Sequence, residues 1–101
     1  MQDISVEELK SRRDKGENIV VIDVREPYEY EEFNIGGKLI PLGTLPSMVD
    51  ELEDLKDIEF VVHCKSGARS ASAKAFLQST GFSKVRNLIG GAMEWQAKYP
   101  A

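Results

Sequence analysis

Two short runs of aliphatic and aromatic residues constrain this chain most: Ile19-Val20-Val21-Ile22-Asp23-Val24 and Phe60-Val61-Val62. Neither alternates apolar with polar residues, so each reads as a strand covered on both faces, which is the habit of parallel sheets. Parallel neighbours need long crossovers, usually helical, and helical signals fill the intervals. Ser5-Val6-Glu7-Glu8 is a capping box that predicts a helix from Val6 to about Lys15, closed by Gly16. Pro27 suits a first helical position ahead of a short helix over Tyr28–Phe33. Lys38-Leu39-Ile40 is a brief extended piece. Thr44 opens a further helix with Pro46 in its first turn. Met48, Val49, Leu52 and Leu55 form its apolar stripe, and Asp50, Glu51, Glu53 and Asp54 its wet face. A helix rich in small residues follows Phe60–Val62 and ends at Gly81. Val85–Ile89 is a third strand, and Gly90-Gly91 leads into a last helix near Met93–Lys98. Tyr28, Phe33 and Trp95 are expected in the core. The pattern predicts an α/β fold with a mostly parallel central sheet flanked by helices on both faces, in one domain over residues 1–101. A chain of this length buries roughly 60–70% of its unfolded surface, enough for a core without staples.

The strand Phe60–Val62 leads through His63 to Cys64, the only cysteine, then to the loop Lys65-Ser66-Gly67-Ala68 and a helix beginning near Arg69. A cysteine between a strand end and a helix N-terminus faces unpaired N–H groups and the positive end of the helix dipole. Such surroundings, with nearby cations, lower a thiol from about 8.5 to roughly 3.5–7.5, so Cys64 needs no separate base. Gly67 is expected at positive φ, letting the loop curl. Lys65 and Arg69 offer positive charge, and Ser66 and Ser70 offer hydroxyls to an anion or to loop carbonyls. His63, the only histidine, points to the other side of the strand and is read as packing or support. One Cys and one His, adjacent in sequence, cannot build a metal site.

The formal charge of −4 is unevenly spread. Residues 1–59 hold 16 carboxylates against 7 Lys and Arg, whereas from Phe60 to Met93 there are no carboxylates, only Lys65, Arg69, Lys74, Lys84 and Arg86. The segment with Cys64 is therefore the part expected to attract an anion. Five scattered basic residues on an acidic chain make a poor nucleic-acid surface. The acidic face at Asp50–Asp57 is a solvated surface or, alternatively, a dock for a basic partner. A lone cysteine, no apolar run of membrane-span length, and an N-terminus without signal-peptide character point to a cytoplasmic protein that does not engage membranes.

Cysteine phosphatases resemble the Cys64 loop but place five residues between Cys and Arg; here four intervene, Lys65 to Ala68. The narrower cradle suits a sulfur atom carried on the cysteine better than a phosphoryl group. Three stretches in order, Asp23-Val24-Arg25-Glu26-Pro27-Tyr28-Glu29-Tyr30, Cys64-Lys65-Ser66-Gly67-Ala68-Arg69-Ser70 and Ile89-Gly90-Gly91-Ala92-Met93-Glu94-Trp95, resemble the signatures of single-domain members of the rhodanese-like family. The stretch Asn34–Gly43 also resembles rhodanese domains attached to the adenylylating enzymes of sulfur-carrier pathways. One departure is visible: Asn34 and Gly36 stand where the family commonly has His and Pro, a change expected to act on local turn geometry. The resemblance implies a sulfurtransferase in which Cys64 carries sulfane sulfur as a persulfide, with Lys65, Ser66, Gly67, Ala68, Arg69 and Ser70 as the anion-binding loop. Asp23 and Arg25 are expected in support, as an ion pair or as hydrogen-bond partners of the loop. It implies no cofactor beyond that covalent intermediate, a small anionic donor such as thiosulfate or a persulfide, and a thiol, cyanide or sulfur-carrier protein as acceptor. The alternatives are a non-catalytic binding module on the same fold and a phosphatase or arsenate-reductase-like enzyme using the same Cys and Arg.

Overall fold

The computed structural model describes residues 1–100; Ala101, the last residue of the expected 1–101 domain, lies outside the described residues. Strands β1 (Val20–Asp23), β2 (Lys38–Leu39), β3 (Phe60–His63) and β4 (Val85–Asn87) form a fully parallel sheet in the order β2-β1-β3-β4. Among the described residues five α-helices accompany them: α1 (Val6–Asp14), α2 (Pro27–Glu32), α3 (Leu45–Met48), α4 (Ala68–Ser79) and α5 (Gly91–Lys98). Ser5 caps α1, its hydroxyl accepting from the Glu8 N–H at 3.0 Å.

Side chains that alternate along the strands feed two cores, one on each face. Ile22, Phe60, Val62 and Val85 pack with Leu45, Leu52, Leu77 and Phe82 on the face of α3 and α4, where Cys64 also points. Val21 and Val61 pack with Val6, Leu9, Leu88 and Trp95 on the face of α1 and α5. The parallel register pairs Ile22 with Val62 and Asp23 with His63, which sets two polar side chains beside each other at the C-terminal ends of β1 and β3.

Several elements differ from expectation. The helix expected from Thr44 is only α3, and Val49–Leu55 winds as a 3-10 helix. Val49, Leu52 and Leu55 recur every third residue, the period at which a 3-10 helix aligns side chains. Asp50 and Asp54, like charges four apart, oppose an α-helical turn. The strand expected through Ile89 stops at Asn87; beyond it Leu88 still donates to the Val62 carbonyl at 3.0 Å, and Ile4 bridges Leu88, donating to the Asn87 carbonyl at 3.0 Å and accepting from Ile89 at 2.8 Å. Helix α5 starts at Gly91, two residues before Met93. Tyr28 is not in the core but 63% exposed, since α2 is a short surface turn with no buried residue. Asn34 does shape its turn, donating to the Tyr30 carbonyl and accepting from the Gly36 N–H.

Candidate active site

Cys64 directly follows β3, with its sulfur at the N-terminus of α4. Sγ accepts hydrogen bonds from the Gly67 N–H at 3.1 Å and the Ser70 N–H at 3.4 Å, and lies 3.3 Å from the Ser70 hydroxyl. Gly67 sits at φ 120°, a conformation closed to most side chains, and this turns its N–H back toward the sulfur. Cys64 and Ser70 are buried. Burial pushes the Cys64 thiol up, but the Ser70 hydroxyl and the N–H groups of Ser70, Gly67 and Ser66 outweigh it and hold the group below the usual thiol range. The sulfur is thus held mainly by dipoles.

Formal charge plays less part than the sequence implies. Arg69 forms a two-point pair with Glu29 of α2, at 2.7 and 2.9 Å. Lys74 pairs with Asp3, and Arg86 with Glu8 and Glu59. The excess acids of the first half of the chain therefore neutralise much of the basic segment. Lys65 and Lys84 have no carboxylate partner among the described residues, and of these only Lys65 belongs to the loop. It lines a cavity of about 220 Å³ beside the loop, together with Tyr28, Glu32, Phe33, Met93 and Gln96.

Asp23 and Arg25 form a buried ion pair, Nη2 to Oδ2 at 2.7 Å, and Arg25 donates further to the Phe33 carbonyl at 2.6 Å rather than to the loop. His63 is fully buried on the other side of the strand, with Nδ1 3.2 Å from the Cys64 carbonyl and Nε2 3.6 Å from Asp23. Burial pushes its imidazole down, with Asp23 opposing.

Three contributors were not read from the sequence. Glu29 lay within a recognised stretch but gave no sign that it would cross to Arg69. Gly91 allows the α5 N-terminus to clasp the loop: Ala92 and Met93 donate to the Cys64 and Lys65 carbonyls at 2.8 and 2.9 Å. Asn87, the last residue of β4, reaches Ser70 and Gly67; an uncharged polar residue inside the Val85–Ile89 run was the available signal.

A cysteine at the end of a parallel strand, cradled by a loop and a helix N-terminus, defines the class, and comparison with known proteins defines the family. The chain belongs to the rhodanese-like domain family, whose model matches residues 5–98. It is 34% identical over 96 residues to a sulfurtransferase of Allochromatium vinosum, covering 94% of this chain and 88% of that protein. It is 37% identical over 97 residues to the Bacillus subtilis protein YrkF, named as a sulfur carrier, covering 95% of this chain and 51% of that protein. Identity is also 37%, over 93 residues, to the Mycobacterium tuberculosis protein MoeZ, named as an adenylyltransferase/sulfurtransferase; the match covers 91% of this chain and 24% of MoeZ. The chain thus spans only part of the length of these last two relatives. Among solved structures, the human single-domain sulfurtransferase TSTD1 superposes with a TM-score of 0.82 at 28% identity, covering 95% of this chain and 96% of that one.

Proposed function

We propose that this domain is a sulfurtransferase that moves sulfane sulfur from thiosulfate or a persulfide donor to a thiophilic acceptor through a Cys64 persulfide. The observation that carries the reading is the Cys64 sulfur at the α4 N-terminus, with the N–H groups of Gly67 and Ser70 aimed at it. In the first step the Cys64 thiolate attacks the outer sulfur of thiosulfate. A sulfur–sulfur bond forms at Cys64, the one within thiosulfate breaks, and sulfite leaves with the electron pair. The persulfide anion sits in the same cradle of N–H donors. In the second step an acceptor nucleophile (a thiol, cyanide or a sulfur-carrier protein) takes the outer sulfur and the thiolate is regenerated, a ping-pong sequence. Lys65, without a carboxylate partner, draws the anionic donor toward the loop, while Arg69 with Glu29 braces its far side. The relatives named as a sulfur carrier and as an adenylyltransferase/sulfurtransferase support a carrier protein among the acceptors.

Intact-protein mass spectrometry tests this directly. Thiosulfate should add the mass of one sulfur to the native chain and none to Cys64→Ser. No gain from either thiosulfate or a persulfide donor would reject the reading.

A further inference from the structure

Ser70 has one hydroxyl proton and three acceptors within reach. Its Oγ lies 2.6 Å from Asn87 Oδ1, 3.2 Å from the Gly67 carbonyl and 3.3 Å from Cys64 Sγ. The orientation of the Asn87 amide is set by the same loop, because Nδ2 donates to the Gly67 carbonyl at 3.2 Å. A carbonyl can only accept, so the nitrogen must face Gly67 and the oxygen must face Ser70. That amide oxygen is also acceptor-only, and at 2.6 Å it requires the Ser70 proton. While the proton is there, Ser70 presents a lone pair to Sγ, an arrangement that suits a protonated thiol and repels a thiolate. The hydroxyl therefore helps the Gly67 and Ser70 N–H groups to hold the thiol down only when it turns from Asn87 to Sγ.

We propose that Asn87 is a positioning residue for Cys64, competing for the Ser70 proton and so restraining ionisation of the thiol while anchoring the loop through Gly67. Asn87 and Ser70 are both buried, so water does not readily replace either partner. Of the charged groups nearby, Lys65 has no carboxylate partner among the described residues and lines the cavity beside the loop, and the others are occupied elsewhere. Arg69 is held by Glu29, Asp3 accepts from the Asn87 N–H and pairs with Lys74, and His63 lies beside Asp23 and Arg25 on the opposite side of β3. None of these hydrogen-bonds the Ser70 hydroxyl among the described residues. The inference concerns ionisation of Cys64 and does not depend on which sulfur donor the site accepts.

The test is the pH profile of Cys64 alkylation by iodoacetamide, which reports on one residue because the chain has one cysteine. Asn87→Ala releases the Ser70 proton toward Sγ and should lower the midpoint by roughly half a unit to one unit, the range expected for one redirected hydrogen bond. Ser70→Ala alone should raise the midpoint, and Asn87→Ala added to it should give no further fall. Asn87→Asp keeps an acceptor against Ser70 and must not lower the midpoint; being isosteric, it also serves if the alanine variant does not fold. An unchanged or raised midpoint in folded Asn87→Ala overturns the proposal. So does a fall that persists on the Ser70→Ala background, or a fall in Asn87→Asp. A purely structural role for Asn87 would loosen Gly67 and shift the profile upward.

Discussion

A β-carbon built on Gly91 would stand 2.4 Å from the Cys64 carbonyl oxygen and 2.6 Å from that of Lys65, and the residue sits at φ 60°. Both obstacles are backbone atoms that form the floor of the sulfur cradle, so no side-chain rotation relieves the clash. Gly91→Ala is expected to cost about 2–4 kcal/mol and to slow sulfur loading of Cys64, read by urea melts alongside intact mass. A second residue-scale outcome concerns Arg25, whose removal leaves the fully buried Asp23 carboxylate without its cation. Arg25→Met should destabilise by about 3–5 kcal/mol in the same melts, whereas a substitution at exposed Tyr28 should change stability by less than about 0.5 kcal/mol.

Ion pairs join the elements. Glu59, just before β3, accepts from Arg12 of α1 at 2.7 Å and from Arg86 of β4 at 2.6 Å. Arg12 does most to hold the Glu59 carboxyl down to about 2, with burial opposing and Arg86 assisting. Arg69 does the same for Glu29, again to about 2 against the opposing effect of burial, tying α2 to α4. A carboxylate lowered in the folded state contributes its stability above the unfolded value of 4.5 and loses it as pH falls toward the folded one. Both pairs are therefore expected to hold above pH 4.5 and to give way between 4.5 and about 2. Glu59→Gln should cost about 1–2 kcal/mol at neutral pH, given its partly solvated surroundings. The loss should shrink to near nothing at the acid end, as followed by circular dichroism melts across pH. His63 acts earlier on the same scale. Its imidazole is lowered by burial, so the folded state resists the proton and stability declines once pH drops below the unfolded value of 6.5.

At the scale of the molecule, one sheet serves two cores, and its two central strands, β1 and β3, contribute to both. Phe60 is fully buried on the α4 face, edge-on to Phe82 with ring centroids 6.0 Å apart. The only tryptophan, Trp95, packs on the opposite face. Phe60→Ala should cost about 3–5 kcal/mol. It should also move the Trp95 fluorescence transition by the same amount as the far-ultraviolet circular dichroism transition, because strands shared by both cores make unfolding a single event. Separate transitions would mean that the two faces unfold independently.

The fold was legible in the chain because its strongest signals are local. Uninterrupted β-branched runs report burial on both faces wherever they lie, and Ser5, Pro27 and Gly81 mark helix ends through backbone chemistry close at hand. The placement of Cys64 between a strand and a helix was legible for the same reason. What escaped are matters of distance and competition. The repeat of Val49, Leu52 and Leu55 fits either a 3-10 or an α-helical reading until packing chooses. Arg69 is a free cation in the sequence and becomes half of a pair only when α2 brings Glu29 across 40 positions of chain. The Ser70 proton has no assigned partner until β4 sets Asn87 beside it. Residue order alone places the cysteine between strand and helix, with N–H donors next to it. Long-range packing determines which charges are cancelled and where one shared proton goes, because both depend on groups that meet only after the sheet has assembled.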